Sequence, residues 1–200
     1  MISSKKEYLH YLKCDCIANN FDYRKIAFPL FHHEIRFLKL LRKCEYYFNC
    51  KKSIVYLPYK ALLMLKLEHA RVKYGWHIPL NVCAEGLSPA HYGSIIINKH
   101  ARIGKFCRIH SGVCIGTAAG TENAAPVIGD HVYIGPGAKI FGNVVIGDET
   151  AIGANAVVTK SFEEGHAVLV GIPAGVSRKL EHNDYVSRKK TDPGKNNRRD

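Results

Sequence analysis

Aliphatic side chains recur along the middle of the chain at an interval that neither common secondary structure requires. In "IIINKHARIGKFCRIHSGVCIG" (residues 95–116), isoleucine stands at positions 97, 103, 109 and 115. After a break the register resumes at Ile128, Ile134, Ile140, Ile146, Ile152 and Val158, again six residues apart. Two places earlier there is usually a small or short-branched residue: Ala101, Cys107, Val113, Val132, Ala138, Val144, Thr150 and Ala156. Glycine often follows, as at 104, 116, 129, 135, 147 and 153. An α-helix shows its apolar face every three or four residues, and a half-buried strand every two. A hexad belongs instead to a solenoid whose short strands turn a corner every six residues, three hexads to a coil. Equivalent side chains then stack at the spacing of neighbouring strands, about 4.8 Å. Glycine, Asn and Asp beside the inward residue suit the corners, where the backbone needs unusual dihedrals. The pattern predicts a parallel β-helix.

The flanks read differently. Ile115 and Ile128 are 13 positions apart, and "TAAGTENAA" (117–125) carries no core pattern, so a loop is expected to leave the solenoid at a corner over 117–126. Upstream, Ile35, Leu38, Leu41 and Tyr46 fall at near-helical spacing, Pro58 permits a second helix start, and Gly75 is a plausible cap. The expected organisation is an N-terminal helical segment (1–75), a β-helix domain (76–175) and a basic C-terminal tail (176–200). The helices should cover the open end of the first coil. Residues 162–175 are expected to leave the repeat. "VSRKLEHNDYVSRKK" is expected to form a short helix, and "TDPGKNNRRD" has too little apolar content to build a core.

Charge is uneven. The net of +12 is concentrated in residues 1–74, with 15 Lys/Arg against 6 Asp/Glu, while residues 95–159 are close to neutral. Such a balance suits an anionic partner: nucleic acid, acidic lipid or a phosphorylated cofactor. No recognised nucleic-acid motif accompanies it, and aromatics are not spaced along the basic stretches as stacking platforms. The aliphatic run Ala61-Leu62-Leu63-Met64-Leu65 is far too short to cross a bilayer, and "MISSKKEYLH" lacks an apolar leader. A cytoplasmic location without stable membrane insertion is expected. The seven cysteines (14, 16, 44, 50, 83, 107 and 114) show no zinc-finger spacing, so reduced thiols and no metal are expected.

At this point the chain resembles a known family. "IGDHVYIGPGAKIFGNVVIGDETAIGANAVVTKSF" (128–162) and "GIPAG" (171–175) resemble hexapeptide-repeat acyltransferases with a left-handed β-helix. Among these the resemblance is to serine O-acetyltransferases and to the serine acetyltransferase-like enzymes of surface-polysaccharide loci. It extends over "FLKLLRKCEYYFNCKK", "KYGWHIPLNV" and "AHYGSIIIN", so it covers roughly residues 34–180. The resemblance implies acetyl-coenzyme A as co-substrate, bound in a groove between two subunits of a homotrimer.

Moving an acetyl group from a thioester to a hydroxyl needs a base, support for the oxyanion and a slot for the carrier. Histidine is the usual base because it titrates near neutrality. His91 in "AHYG" matches the family's catalytic histidine motif, and His110, 19 residues on, should reach it across one coil. Two departures stand out. "GWHIP" offers His77 where serine acetyltransferases carry an acid that orients the histidine, which leaves Glu85, Glu122, a backbone carbonyl or nothing for that task. Ala125 stands where those enzymes carry a second active-site histidine. For the carrier, the resemblance implies Thr117, Gly135 and Ala154 along the pantetheine arm. It places Lys160, Arg178 and Lys179 where their charges could pair with the phosphates. The departures favour O-acetylation of a sugar in a surface polysaccharide or its precursor. Serine O-acetylation in cysteine synthesis is the alternative, and a non-enzymatic basic scaffold for nucleic acid or acidic lipid is a third reading.

Overall fold

The structure, a computed structural model, describes residues 1–26, 29, 31–121 and 123–186; Glu122 and the polar tail from 187 onward lie outside it. Three helices come first. α1 (Lys5–Ala18) is capped reciprocally: the Ser4 hydroxyl accepts the Glu7 N–H at 3.2 Å, and the Glu7 carboxylate accepts the Ser3 N–H at 2.6 Å. α2 (His33–Cys50) buries Ile35, Leu38 and Leu41 together with Phe37 and Cys44. α3 (Leu57–Tyr74) carries a proline in its first turn and ends at Gly75, left-handed at φ 73°. A Cβ there would lie 3.1 Å from the Gly93 carbonyl, so the cap and the close approach both call for glycine.

The chain then winds through three parallel sheets. The first contains β1 (Trp76–His77), β3 (Ile95–Ile97), β6 (Val113–Gly116), β9 (Lys139–Phe141) and β12 (Val157–Val158). The second contains β4 (Arg102–Ile103), β7 (Val127–Ile128) and β10 (Val145–Ile146). The third contains β2 (Ser88–Ala90), β5 (Arg108–His110), β8 (Tyr133–Ile134), β11 (Ala151–Ile152) and β13 (Ala167–Val170), with β14 (Gly175–Lys179) antiparallel on its edge. The hexad residues pair rung over rung: Ile97, Ile115, Ile140 and Val158 on one wall, Ile103, Ile128 and Ile146 on the next, Ile109, Ile134 and Ile152 on the third. Each is at most 3% exposed, as the six-residue period requires. Partners are 18 positions apart between Ile97 and Ile115 but 25 between Ile115 and Ile140, so the extruded segment adds seven residues without disturbing register.

The corners repeat as regularly as the walls. Phe106, His131, Glu149 and His166 hold left-handed φ values of 51°, 56°, 57° and 48°, one per coil. That region costs an L-residue roughly 1–2 kcal/mol. Local contacts offset it: the Phe106 and His131 rings stack at 5.5 Å, Asp130 accepts the Lys105 N–H, and Asp148 accepts the Asp130 N–H, both at 2.7 Å.

Two expectations for the C-terminal part are corrected. The repeat does not end at 162: β13 pairs in parallel with β11, and buried Leu169 lies opposite Ile152. The hexad count misses it because this coil takes 17 residues. The segment after Gly175 begins as a strand rather than a helix. An open edge of β13 offers a row of unpaired backbone groups, and β14 satisfies them with Val168 opposite Arg178 and Val170 opposite Gly175.

The helices join the first coil through one buried guanidinium. Arg42 donates to both oxygens of Asp15 (2.9 and 3.3 Å), to Glu45 (3.0 Å) and to the carbonyls of Cys83 (2.9 Å) and Ala84 (2.6 Å). Asp15 in turn accepts the N–H groups of Gly86 (2.8 Å) and Leu87 (3.0 Å), and Glu45 accepts that of Asn81 (2.8 Å). Burial opposes the Arg42 charge, but the two carboxylates outweigh it and hold the guanidinium well above its ordinary pKa. Removing one partner of a buried ion network strands the others, at a cost of about 3–5 kcal/mol. Arg42→Met is therefore expected to lower unfolding stability by that amount in a urea titration, whereas Lys43→Met one position on should change it little.

Candidate active site

β2 ends at Ala90, which pairs in register with His110, so the next residue, His91, stands one coil above it. The two imidazoles approach to 5.9 Å between ring centroids, as the 19-residue separation predicts. His91 is exposed and holds a left-handed φ of 63°. His110 is half-buried. Arg108 on the same strand donates its Nε–H to His110 Nε2 at 3.3 Å, so that nitrogen accepts and the imidazole is neutral. Burial, the Arg108 charge and His91 together push the His110 pKa below its usual value.

A cleft of about 330 Å³ opens beside this pair. Its helical wall carries Asn19, His33 and Glu34, and its solenoid wall carries Trp76, Ser88 and Arg108. The polar groups are already linked. Arg108 reaches the Ser88 hydroxyl at 3.4 Å, Ser88 donates to Asn19 Oδ1 at 3.1 Å, and Asn19 Nδ2 donates to the Leu87 carbonyl at 2.9 Å. At the mouth, the Tyr92 hydroxyl and His33 Nδ1 lie 2.9 Å apart. Trp76 is buried, and its Nε1 has no hydrogen-bond partner.

Below the histidines runs a column of small residues. Register places Gly135 under His110 and Gly153 under Gly135, all one step after an inward isoleucine. A Cβ on Gly135 would meet the Ile152 carbonyl at 2.7 Å and Ala154 N at 2.9 Å. The corner is consequently bare backbone, with exposed Ala154 beside it. Thr117 and Lys160 lie on a different corner, two places after the inward residues of the first sheet, so a single chain does not bring them to the histidines. Lys160 sits over the Phe162 ring at 5.5 Å. Arg178 donates to the Tyr185 hydroxyl at 2.7 Å, and Lys179 lines a cleft shared with Glu163 and Glu164.

Glu85 is placed elsewhere. Its carboxylate faces Lys105 at 3.6 Å and His10 at 3.9 Å, so it serves the contact between α1 and the coil rather than orienting His91. Glu122 falls outside the described residues. His77 is exposed on β1, and Ala125 is buried. Arg108, Tyr133 and His33 were missed from the sequence. The Tyr133 ring is 5.0 Å from His110 and 5.4 Å from Tyr185. Arg108 and Tyr133 each precede an inward isoleucine, and the register sets them opposite each other on the wall that carries His110. His33 reaches the cleft by helix packing, which leaves no local signature.

Residues 125–160 match the family described as bacterial transferase hexapeptide (six repeats). A serine acetyltransferase of Mycobacterium tuberculosis is 39% identical over 87 residues, which is 43% of this chain and 38% of that protein. One from Synechococcus elongatus is 34% identical over 93 residues, 46% of this chain and again 38% of the relative. The match thus spans well under half of these relatives. Among solved structures, a serine acetyltransferase in complex with cysteine superimposes with a TM-score of 0.69 at 22% identity, over 87% of this chain and 71% of the other. A Brucella abortus serine acetyltransferase in complex with coenzyme A gives 0.68 at 20%, over 88% and 70%.

Because Arg108 opposes a second positive charge, Arg108→Gln should raise the His110 pKa toward the ordinary value of about 6.5. Imidazole resonances followed by NMR through a pH titration would show it, and an unmoved midpoint would remove Arg108 from the electrostatics of the pair. The chain carries the hexapeptide repeat of the bacterial transferases on the left-handed β-helix fold seen in serine acetyltransferases.

Proposed function

We propose that this protein is an acetyl-coenzyme A-dependent O-acetyltransferase in which His91 is the general base. The observation that carries the reading is the placement of two imidazoles at the head of a bare glycine corner, beside a polar cleft. His91 takes the proton of the acceptor hydroxyl as its oxygen attacks the thioester carbonyl. The tetrahedral intermediate collapses by breaking the carbon–sulfur bond, and the imidazolium returns the proton to the departing thiolate. Neutral His110 leaves His91 free to become charged, since a second imidazolium at this distance would oppose it. Gly135 and Ala154 line the corner proposed for the pantetheine arm. Thr117 and Lys160 complete that groove from the neighbouring copy of a homotrimer, which is how two different corners of the prism come to serve one site.

Serine is the first acceptor to test, because the relatives above are named serine acetyltransferases and one solved structure, from Neisseria gonorrhoeae, is in complex with serine. This reverses the order suggested by His77 and Ala125. A saccharide hydroxyl remains the second reading. Ala125 supplies no imidazole, and the cleft of about 330 Å³ has room for a hexose, since pockets of roughly 300–1,000 Å³ hold ligands of that size and larger.

Thiol release from acetyl-coenzyme A, followed with L-serine and separately with nucleotide sugars and oligosaccharides, decides the acceptor. Serine-dependent release supports the first reading, and release with sugars alone supports the second. In either case His91→Ala should lower turnover about 10²–10⁴-fold without altering the circular dichroism spectrum. Undiminished turnover in that variant would reject the assignment.

A further inference from the structure

α3 is apolar on two faces, and the fold uses only one. Leu63, Leu67, Ala70 and Tyr74 pack inward with α2 and the first coil. At 100° per residue, Leu57, Ala61, Leu65 and Val72 form a second stripe on the opposite side, where Leu57 is 60% exposed, Leu65 70% and Val72 84%. The stripe extends into the preceding turn, where Ile54 is 81% and Val55 78% exposed. Glu68, whose side chain is 53% exposed, interrupts the stripe between Leu65 and Val72, but the aliphatic groups on either side of it are gathered on one face rather than scattered.

The charges beside it indicate what it meets. Lys66, His69 and Lys73 run along one border of the stripe, and with Arg36 of α2 they surround a cleft of about 430 Å³ floored by Phe37, Leu40 and Ala70. Among its described lining residues there is no carboxylate. Glu68, the acid on this side of the helix, is ion-paired with Arg71. A second copy of the chain docking through the same face would bring two positively charged borders together, which opposes self-association. An anionic bilayer satisfies both halves of the surface. Apolar side chains enter the acyl boundary while lysines and arginine meet lipid phosphates, the arrangement by which amphipathic helices lie on membranes. Among the described residues no helix is long and apolar enough to cross a membrane, so this is contact with one leaflet.

We propose that the outward face of α3, with Arg36 of α2, docks the protein on the surface of an anionic phospholipid bilayer. Tyr74 of that cleft stacks at 6.5 Å on Tyr92, the neighbour of His91, so the docked enzyme would work on acceptors presented at or released near that surface. The test is flotation of the full-length protein with vesicles of phosphatidylcholine alone and of phosphatidylcholine mixed with phosphatidylglycerol. Binding to the mixed vesicles, weakened by salt, is expected. Lys66→Gln with Lys73→Gln should lower partitioning about 25-fold, roughly fivefold for each lysine. Leu65→Glu with Val72→Glu should abolish it, with helicity and, in solution, thiol release unchanged. Failure to float with the mixed vesicles, or equal binding by all variants, would overturn the proposal. So would a fall in oligomer size in the Leu65/Val72 variant measured by light scattering without lipid, which would assign the face to a second copy.

Discussion

Every backbone group in a coil of this protein looks along the solenoid axis for its partner in the next coil, and that single demand governs the rest. It sets the six-residue period, because each wall must place an aliphatic side chain directly over the one below. It also creates a problem at the ends, where the last coil has no successor. At the C-terminal end β14 folds back to pair with β13. At the N-terminal end the solution is less regular. Three helices cover the opening, and Arg42 takes up the carbonyls of Cys83 and Ala84 while Asp15 takes the N–H groups of Gly86 and Leu87. A charged cluster thus substitutes for the hydrogen bonds that a further coil would have made.

The candidate site is a product of that closure. β2 follows directly from the clamped loop, and His91 follows β2. The opposite wall of the cleft comes from α1 and α2, the elements that Asp15 and Arg42 hold in place. Buried ion clusters are weak sources of stability compared with apolar packing. Here the cluster fixes the position of one wall of a cleft relative to the other, which apolar contacts alone would define less sharply.

The solenoid was legible in the sequence because its constraint is strictly periodic. Ten inward positions repeat one choice, and no other backbone explains Ile97 through Val158. The nearness of His91 to His110 was legible for the same reason, although this first coil takes 20 residues rather than 18. Where counting fails, so did the reading. Leu169 arrives one residue early, and β14 forms because an edge is available, a fact about β13 rather than about the residues of β14 themselves. Glu85 was one of the groups left open for orienting His91, but Lys105 and His10 lie beside it in space. Nothing in the hydrophobic spacing of its helix singles out Arg42. Its burial depends on two carboxylates, one of them 27 residues away.

The seven residues inserted after Thr117 leave at a corner and return with Ile128 squarely opposite Ile103. Their removal or enlargement would therefore leave the stacked interior as it is. This gives the fold a place where evolution can experiment cheaply: a lineage could exchange this segment for another of different length and composition, changing what approaches that side of the prism while inheriting an unaltered frame.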